Sequence, residues 1–169
     1  KKSTAEGIVY GALDRIQKRS GQDPKSVLDR IVPGYYHRRD ITNGTVTSGT
    51  CCADTATEFR MMEKLMVDTG KTWVRDYKIS SFRFDIMGAH PLDAMLRFRD
   101  AVQAIEPSTY IYGEGWNCCG GTDDERYKAA RQANLGGTGI GSFSDRIRDP
   151  VRGGGPFDSG AQHVQNQGF

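Results

Sequence analysis

No stretch of this 169-residue chain approaches the roughly 20 consecutive apolar residues that a bilayer span requires, so no membrane-spanning segment is expected. Charge of one sign is also scarce. The formal net charge is only +2 and the Lys and Arg residues are scattered among acids, which argues against a nucleic-acid partner. There is no G-x-S-x-G elbow of a serine hydrolase. The histidines His37, His90 and His163 have no i, i+4 partner, so no H-E-x-x-H metal helix exists. The four cysteines form adjacent pairs, Cys51-Cys52 and Cys118-Cys119, rather than the C-x₂₋₄-C spacing of a structural zinc site. Pairing across the two loops and four thiols both stay open on these residues. The opening KKSTAEG is followed by no apolar h-region, so no signal peptide is expected. Nothing in the pattern fixes an oligomeric state.

What is present suffices for one domain with a real core: 37% of residues are hydrophobic and 26% charged. Thr, Ser and Gly dominate residues 42–52, which read as a surface loop. Asp54 or Thr55 is expected to cap a helix, with Glu58 as capping-box partner. That helix carries Met61, Met62, Leu65, Met66, Trp73 and Val74 at helical spacing and runs to about Tyr77, its methionine stripe facing the core. A strand around Ile79–Ile86, a helix around Leu92–Ile105 and a strand Tyr110–Gly113 follow, with Pro107 as the break. Residues Asp123–Gln132 read as helical. The glycines of GGTGIG resemble a phosphate loop, but Ser142 stands where its third glycine belongs and no strand precedes it. The alternation of strands and helices implies βαβ units, a parallel sheet and an α/β fold.

In the strand SFRFD, Phe82 and Phe84 share one face while Arg83 and Asp85 share the other. Glu114 follows Asp85 by 29 positions, about one strand-helix-strand unit, and each acid falls near the C-terminal end of its strand. Parallel neighbours aim both carboxylates at the end where α/β folds hold their ligands. Two carboxylates in one cavity suit glycoside hydrolysis, one ionised and the other protonated. Arg83 favours the anion at Asp85, whereas the aromatic flanks Tyr112 and Trp116 disfavour it at Glu114. Asp85 is thereby the expected nucleophile and Glu114 the expected general acid and base. A structural Arg83–Asp85 pair with a solvated Glu114, or a hard cation held by the two acids, remains open on spacing alone.

The blocks SVLDRIVPGYYHR, TATEFRMMEKLMVD, DYKISSFRFDIMGAHP, YIYGEGW and GTGIGSFSDRIRDPVRGGGPFDSG occur in one order from about Ser26 to Phe169. Together they resemble the bacterial pullulanases, starch-debranching members of the α-amylase family of glycoside hydrolases. The resemblance implies a (β/α)₈ TIM barrel, of which this chain is a partial piece, roughly the third to sixth strand-helix units. It treats residues 1–169 as a single incomplete catalytic-barrel segment, with 1–25 poorly matched. It implies cleavage of α-1,6-glucosidic branch links in pullulan, amylopectin and limit dextrins with retention, and an α-glucan polysaccharide as partner. By position, Asp85 matches the family's nucleophile, Glu114 its acid/base and Arg83 the arginine that orients the nucleophile. His90, Trp116 and one of Tyr35 or Tyr36 match residues that line glucose subsites. No cofactor is required. Calcium is compatible with the family, though no residue pattern here indicates a site. Export to an extracellular or periplasmic location is implied as well. The sequence departs from the family at Gly7–Ala12, where only Val9-Tyr10 of the third-strand motif is kept, and at Ser80-Ser81, Phe59 and Pro150. The family's third catalytic aspartate is expected past Phe169. Two readings of another kind stay open: a non-catalytic piece that binds α-glucan, and a small α/β metal-binding protein.

Overall fold

A computed structural model describes residues 14–15, 17–19, 21, 35–50, 52–117, 128–155 and 157–166. Residues 36–50 and 52–56 fold back on one another through antiparallel bridges His37↔Thr55 and Arg39↔Val46. The chain then enters α1 (Arg60–Tyr77). The capping expected of Asp54, Thr55 and Glu58 is not what starts this helix. Phe59 is its N-cap, with no side-chain cap bond. Asp54 accepts the Gly49 N–H at 3.0 Å and Glu58 accepts Arg38 at 2.7 Å, so both acids are already engaged by the preceding loop. The helix ends at the left-handed Lys78, and the Ile79 N–H closes back onto the Trp73 carbonyl.

Strand β1 (Ser81–Phe84) is shorter than the sequence suggests. Ile86 takes a left-handed conformation, φ 44°, which breaks the extended backbone just past Asp85. Met87–Ala89 then form a single 3₁₀ turn, and Met87 drops into the core. Helix α2 (Leu92–Gln103) crosses over to β2 (Tyr110–Gly113), which pairs parallel with β1 from Ser81↔Tyr110 to Phe84↔Gly113. A two-residue β3 (Gly141–Ser142) pairs parallel with β2 on its other side. The observed class is α/β, as the alternation of elements implied.

The core gathers Val74 of α1, Met87, Leu92, Met95, Phe98 and Val102 around α2, and Ile111 of β2. Each such burial stabilises the fold by about 1.5–3 kcal/mol before entropy is counted. Phe82 and Phe84 meet Phe98 edge-on at 5.3 and 4.9 Å, so the apolar face of SFRF does pack under a helix. The two helices touch at Gly70, where a Cβ would come within 2.3 Å of the Phe98 ring. The methionine stripe is only partly core. Met66 packs on it, but Leu65 and Trp73 are half exposed and border an apolar groove of about 590 Å³ between α1 and β1.

The helix expected over Asp123–Gln132 lies partly outside the described residues, and its last part is not helical. Pro91 bridges Ala129, the Leu92 N–H donates to the Lys128 carbonyl, and the Ala130 N–H donates to the His90 carbonyl. These partners hold residues 128–131 extended, and Gln132–Asn134 form one 3₁₀ turn. The glycines of GGTGIG meet backbone demands: Gly137 and Gly139 are left-handed at φ 76° and 72°. Helices α3 (Asp145–Arg152), which contains Pro150, and α4 (Ala161–Gln165) complete the described fold.

Candidate active site

The register of β1 and β2 puts Asp85 and Glu114 one step past the paired Phe84 and Gly113. The Glu114 N–H donates to the Phe84 carbonyl at 3.1 Å, which carries the pairing on to that step. The alternation of strand side chains brings Arg83 to the same side. Its Nη1 donates to Asp85 Oδ1 at 2.6 Å and its Nη2 to Glu114 Oε1 at 2.5 Å. The second oxygen of Glu114 accepts the N–H of Ile86 at 3.1 Å, and the Gly88 N–H donates to the Glu114 carbonyl at 2.9 Å. The turn after one acid is thus tied to the other acid.

The two carboxylates differ in access. The side chain of Asp85 is 76% exposed and that of Glu114 only 12%. The hydrogen bond from Arg83 holds the Asp85 carboxyl below the usual carboxylate range, and a hydrogen bond with Glu114 acts in the same direction. Arg83 is itself seated on an aromatic face, its guanidinium 5.7 Å from the Phe143 ring centre, and Phe143 meets Tyr112 edge-on at 6.0 Å. Glu114, expected between aromatic surfaces, has polar partners in Arg83 and the Ile86 N–H. The guanidinium takes the carboxylate oxygens that a metal ion would use. Among the described residues no group of three or more His, Cys, Asp and Glu is gathered to hold an ion.

A cavity of about 220 Å³ lies beside Asp85, lined also by Arg38, Asp54, Thr55, Ile86 and His90. His90 is partly buried, with Nδ1 2.7 Å from the Thr57 hydroxyl. Burial, followed by the charge of Arg38, pushes its imidazole down to about 4. Arg38 forms a fork with Glu58 at 2.7 and 2.9 Å, the two side chains 13% and 6% exposed, and also donates to the Ala89 carbonyl at 3.3 Å. Trp116 is placed differently. Its ring meets Phe157 edge-on at 6.1 Å and lies 5.9 Å from the Arg148 guanidinium, and it is not part of the cavity wall. Tyr35 and Tyr36 form an edge-on pair at 4.7 Å and do not line the cavity either.

The structure therefore brings Asp85, Glu114 and Arg83 together, adds His90 through the cavity, and leaves Trp116 and the tyrosines apart. Arg38, Thr57, Glu58 and Phe143 escaped sequence reasoning. Their partners are tens of residues away in the chain, beyond the reach of any local period.

Fold and site together define a class: parallel α/β proteins with paired carboxylates just past the C-terminal ends of adjacent strands. Known proteins narrow it. A pullulanase of Klebsiella pneumoniae is 53% identical over 147 residues, covering 87% of this chain and 13% of its own length. The chloroplastic pullulanase 1 of Arabidopsis thaliana is 43% identical over 170 residues, covering 96% and 17%. The crystal structure of Klebsiella pneumoniae pullulanase complexed with maltotriose matches with a TM-score of 0.76 at 52% identity, covering 83% of this chain and 13% of that one. The chain thus resembles an internal part of a pullulanase and spans about an eighth of the length of the Klebsiella relatives. A shorter stretch, 26% of the chain, is 60% identical over 48 residues to small ribosomal subunit protein uS7 of Paramagnetospirillum magneticum. No protein-family model matches.

Proposed function

We propose that this chain is the acid-bearing piece of a pullulanase-type glycoside hydrolase, roughly the third to sixth strand-helix units of a (β/α)₈ barrel. Its substrates are α-1,6 branch links of pullulan, amylopectin and limit dextrins. The observation that carries the reading is the single guanidinium joined to two carboxylates at the ends of adjacent parallel strands. Pullulanase relatives and a maltotriose-bound pullulanase support the class of substrate.

In this reading Asp85, exposed and kept ionised by Arg83, attacks the anomeric carbon. Glu114, buried beside it, gives its proton to the departing glycosidic oxygen. Water then enters, Glu114 takes a proton from it, and the glycosyl–Asp85 ester is hydrolysed with net retention. The two steps are glycosyl and proton transfers between carboxylates and water, and no metal or cofactor takes part. His90 contacts sugar through the cavity beside Asp85, and Trp116 contacts it farther along the same sheet end.

The test is release of reducing ends from pullulan by the polypeptide carrying this chain, beside its Asp85→Asn and Glu114→Gln variants. Loss of release in both is expected, and release that survives both sinks the assignment. The second reading, α-glucan binding without turnover, draws on the small share of the relatives that the chain spans. It predicts retention on immobilised glucan with no reducing ends formed by any variant.

A further inference from the structure

We infer that Thr57 is a positioning residue that fixes His90 as the neutral tautomer protonated on Nε2, a hydrogen-bond donor into the cavity beside Asp85. Thr57 is completely buried, and its hydroxyl lies 2.7 Å from His90 Nδ1, its one partner among the described residues. A hydroxyl carries one hydrogen, and a buried donor without an acceptor is costly. The hydroxyl hydrogen therefore points at Nδ1, which must offer a lone pair, and the ring proton resides on Nε2.

The ring has little freedom to choose otherwise. Phe84 stands edge-on to it at 6.0 Å. The His90 N–H donates to the Met87 carbonyl at 3.0 Å and the His90 carbonyl accepts the Ala130 N–H at 2.8 Å. The charged groups around the site are Arg38, Asp54 and Asp85 on the cavity wall, with Glu58 paired to Arg38. Burial and Arg38 disfavour a second ring proton. His90 lines the cavity, and Nε2 has no partner among the described residues, so this N–H is available to an acceptor there. That the acceptor is a sugar oxygen rests on the glycosidase reading. The tautomer does not.

The experiment is long-range ¹H–¹⁵N correlation of histidine-labelled chain, with His90 assigned through His90→Gln. Between about pH 5 and 8 the unchanged chain should show Nδ1 unprotonated and Nε2 protonated. Thr57→Val, which keeps the shape and removes the hydroxyl, should shift the ring toward Nδ1–H or a mixture, and Thr57→Ser should restore the pattern. An Nδ1–H or cationic ring in the unchanged chain, or a Thr57→Val spectrum identical to it, overturns the inference. In the enzyme assay Thr57→Val should raise KM for pullulan about tenfold with a smaller change in kcat, since one bound hydrogen bond is misdirected. An unchanged KM beside a changed tautomer overturns the donor role. An Asp85→Asn variant that stays active while the His90 pattern is intact counts against the glycosidase reading alone.

Discussion

Asp85 and Glu114 leave adjacent parallel strands at the same rank, and the one guanidinium of Arg83 hydrogen-bonds both. Replacing Arg83 with Met deprives Asp85 of the donor that depresses its pKa. A depressed carboxyl contributes stability that is present above the ordinary carboxylate pKa and is lost as pH falls through the folded value. Arg83→Met should thus lower melting temperature slightly at neutral pH and hardly at all in strong acid. The larger expected effect is on turnover, with kcat/KM down about 100-fold or more and its acid limb moved to higher pH. An acid limb left in place would show that Arg83 does not set the charge of Asp85.

Phe143 offers a gentler test of the same geometry. Cation–π seating at an exposed site is worth about 0.5–1 kcal/mol, so Phe143→Leu should cost about two- to fivefold in kcat. Phe143→Trp keeps an aromatic face under Arg83 and should cost less than Leu. Equal losses in the two variants would assign Phe143 to packing alone.

The Arg38–Glu58 fork is nearly buried, and breaking one side leaves a charge without its counterpart. Arg38→Met should destabilise the fold by about 3–5 kcal/mol. The double variant Arg38→Met with Glu58→Met should lose less than Arg38→Met alone. Urea denaturation of the single and double variants checks both.

Gly88 lies where a Cβ would come within 2.0 Å of the Trp116 carbonyl. Gly88→Ala should therefore cost about 1–3 kcal/mol by overpacking and displace Trp116. Thermal melting and indole fluorescence, compared with a Trp116→Phe reference, separate that signal from Trp73.

His90 contributes in the same sense as Asp85, over a higher pH window. Its pKa is about 4 in the fold against an ordinary 6.5. The unfolded chain binds the extra proton first, so this group's contribution is intact above pH 6.5 and declines as pH falls toward about 4. His90→Gln should flatten the pH dependence of stability across that window. An unchanged slope would refute the depressed value.

The alternation in SFRF and the 29-residue step to Glu114 make both acids legible in the sequence, because strand periodicity and a βαβ unit are local properties of the chain. The strand end is not legible: nothing marks Ile86 for a left-handed backbone, which β-branched residues rarely adopt. Glu58 reads as a capping-box partner and Thr57 carries no signal at all, since the sequence hides their partners, Arg38 and His90, which lie 20 and 33 positions away. Residues 128–131 have an apparent helical character that loses to carbonyl and N–H partners supplied by the 90–92 segment. Long-range hydrogen bonds decide each of these cases.

The left-handed Ile86 has a mechanical consequence. A β-branched residue in that conformation holds about 1–3 kcal/mol of strain, and its N–H donates to Glu114 Oε2 at 3.1 Å. The acid on one strand is therefore the latch on a sprung turn that carries the acid of the other. Removing the latch and removing the proton source are separable operations. Glutamine at position 114 keeps one oxygen for the Ile86 N–H while giving up the Arg83 bond and proton transfer, whereas alanine also lets the turn relax and carries Asp85 with it.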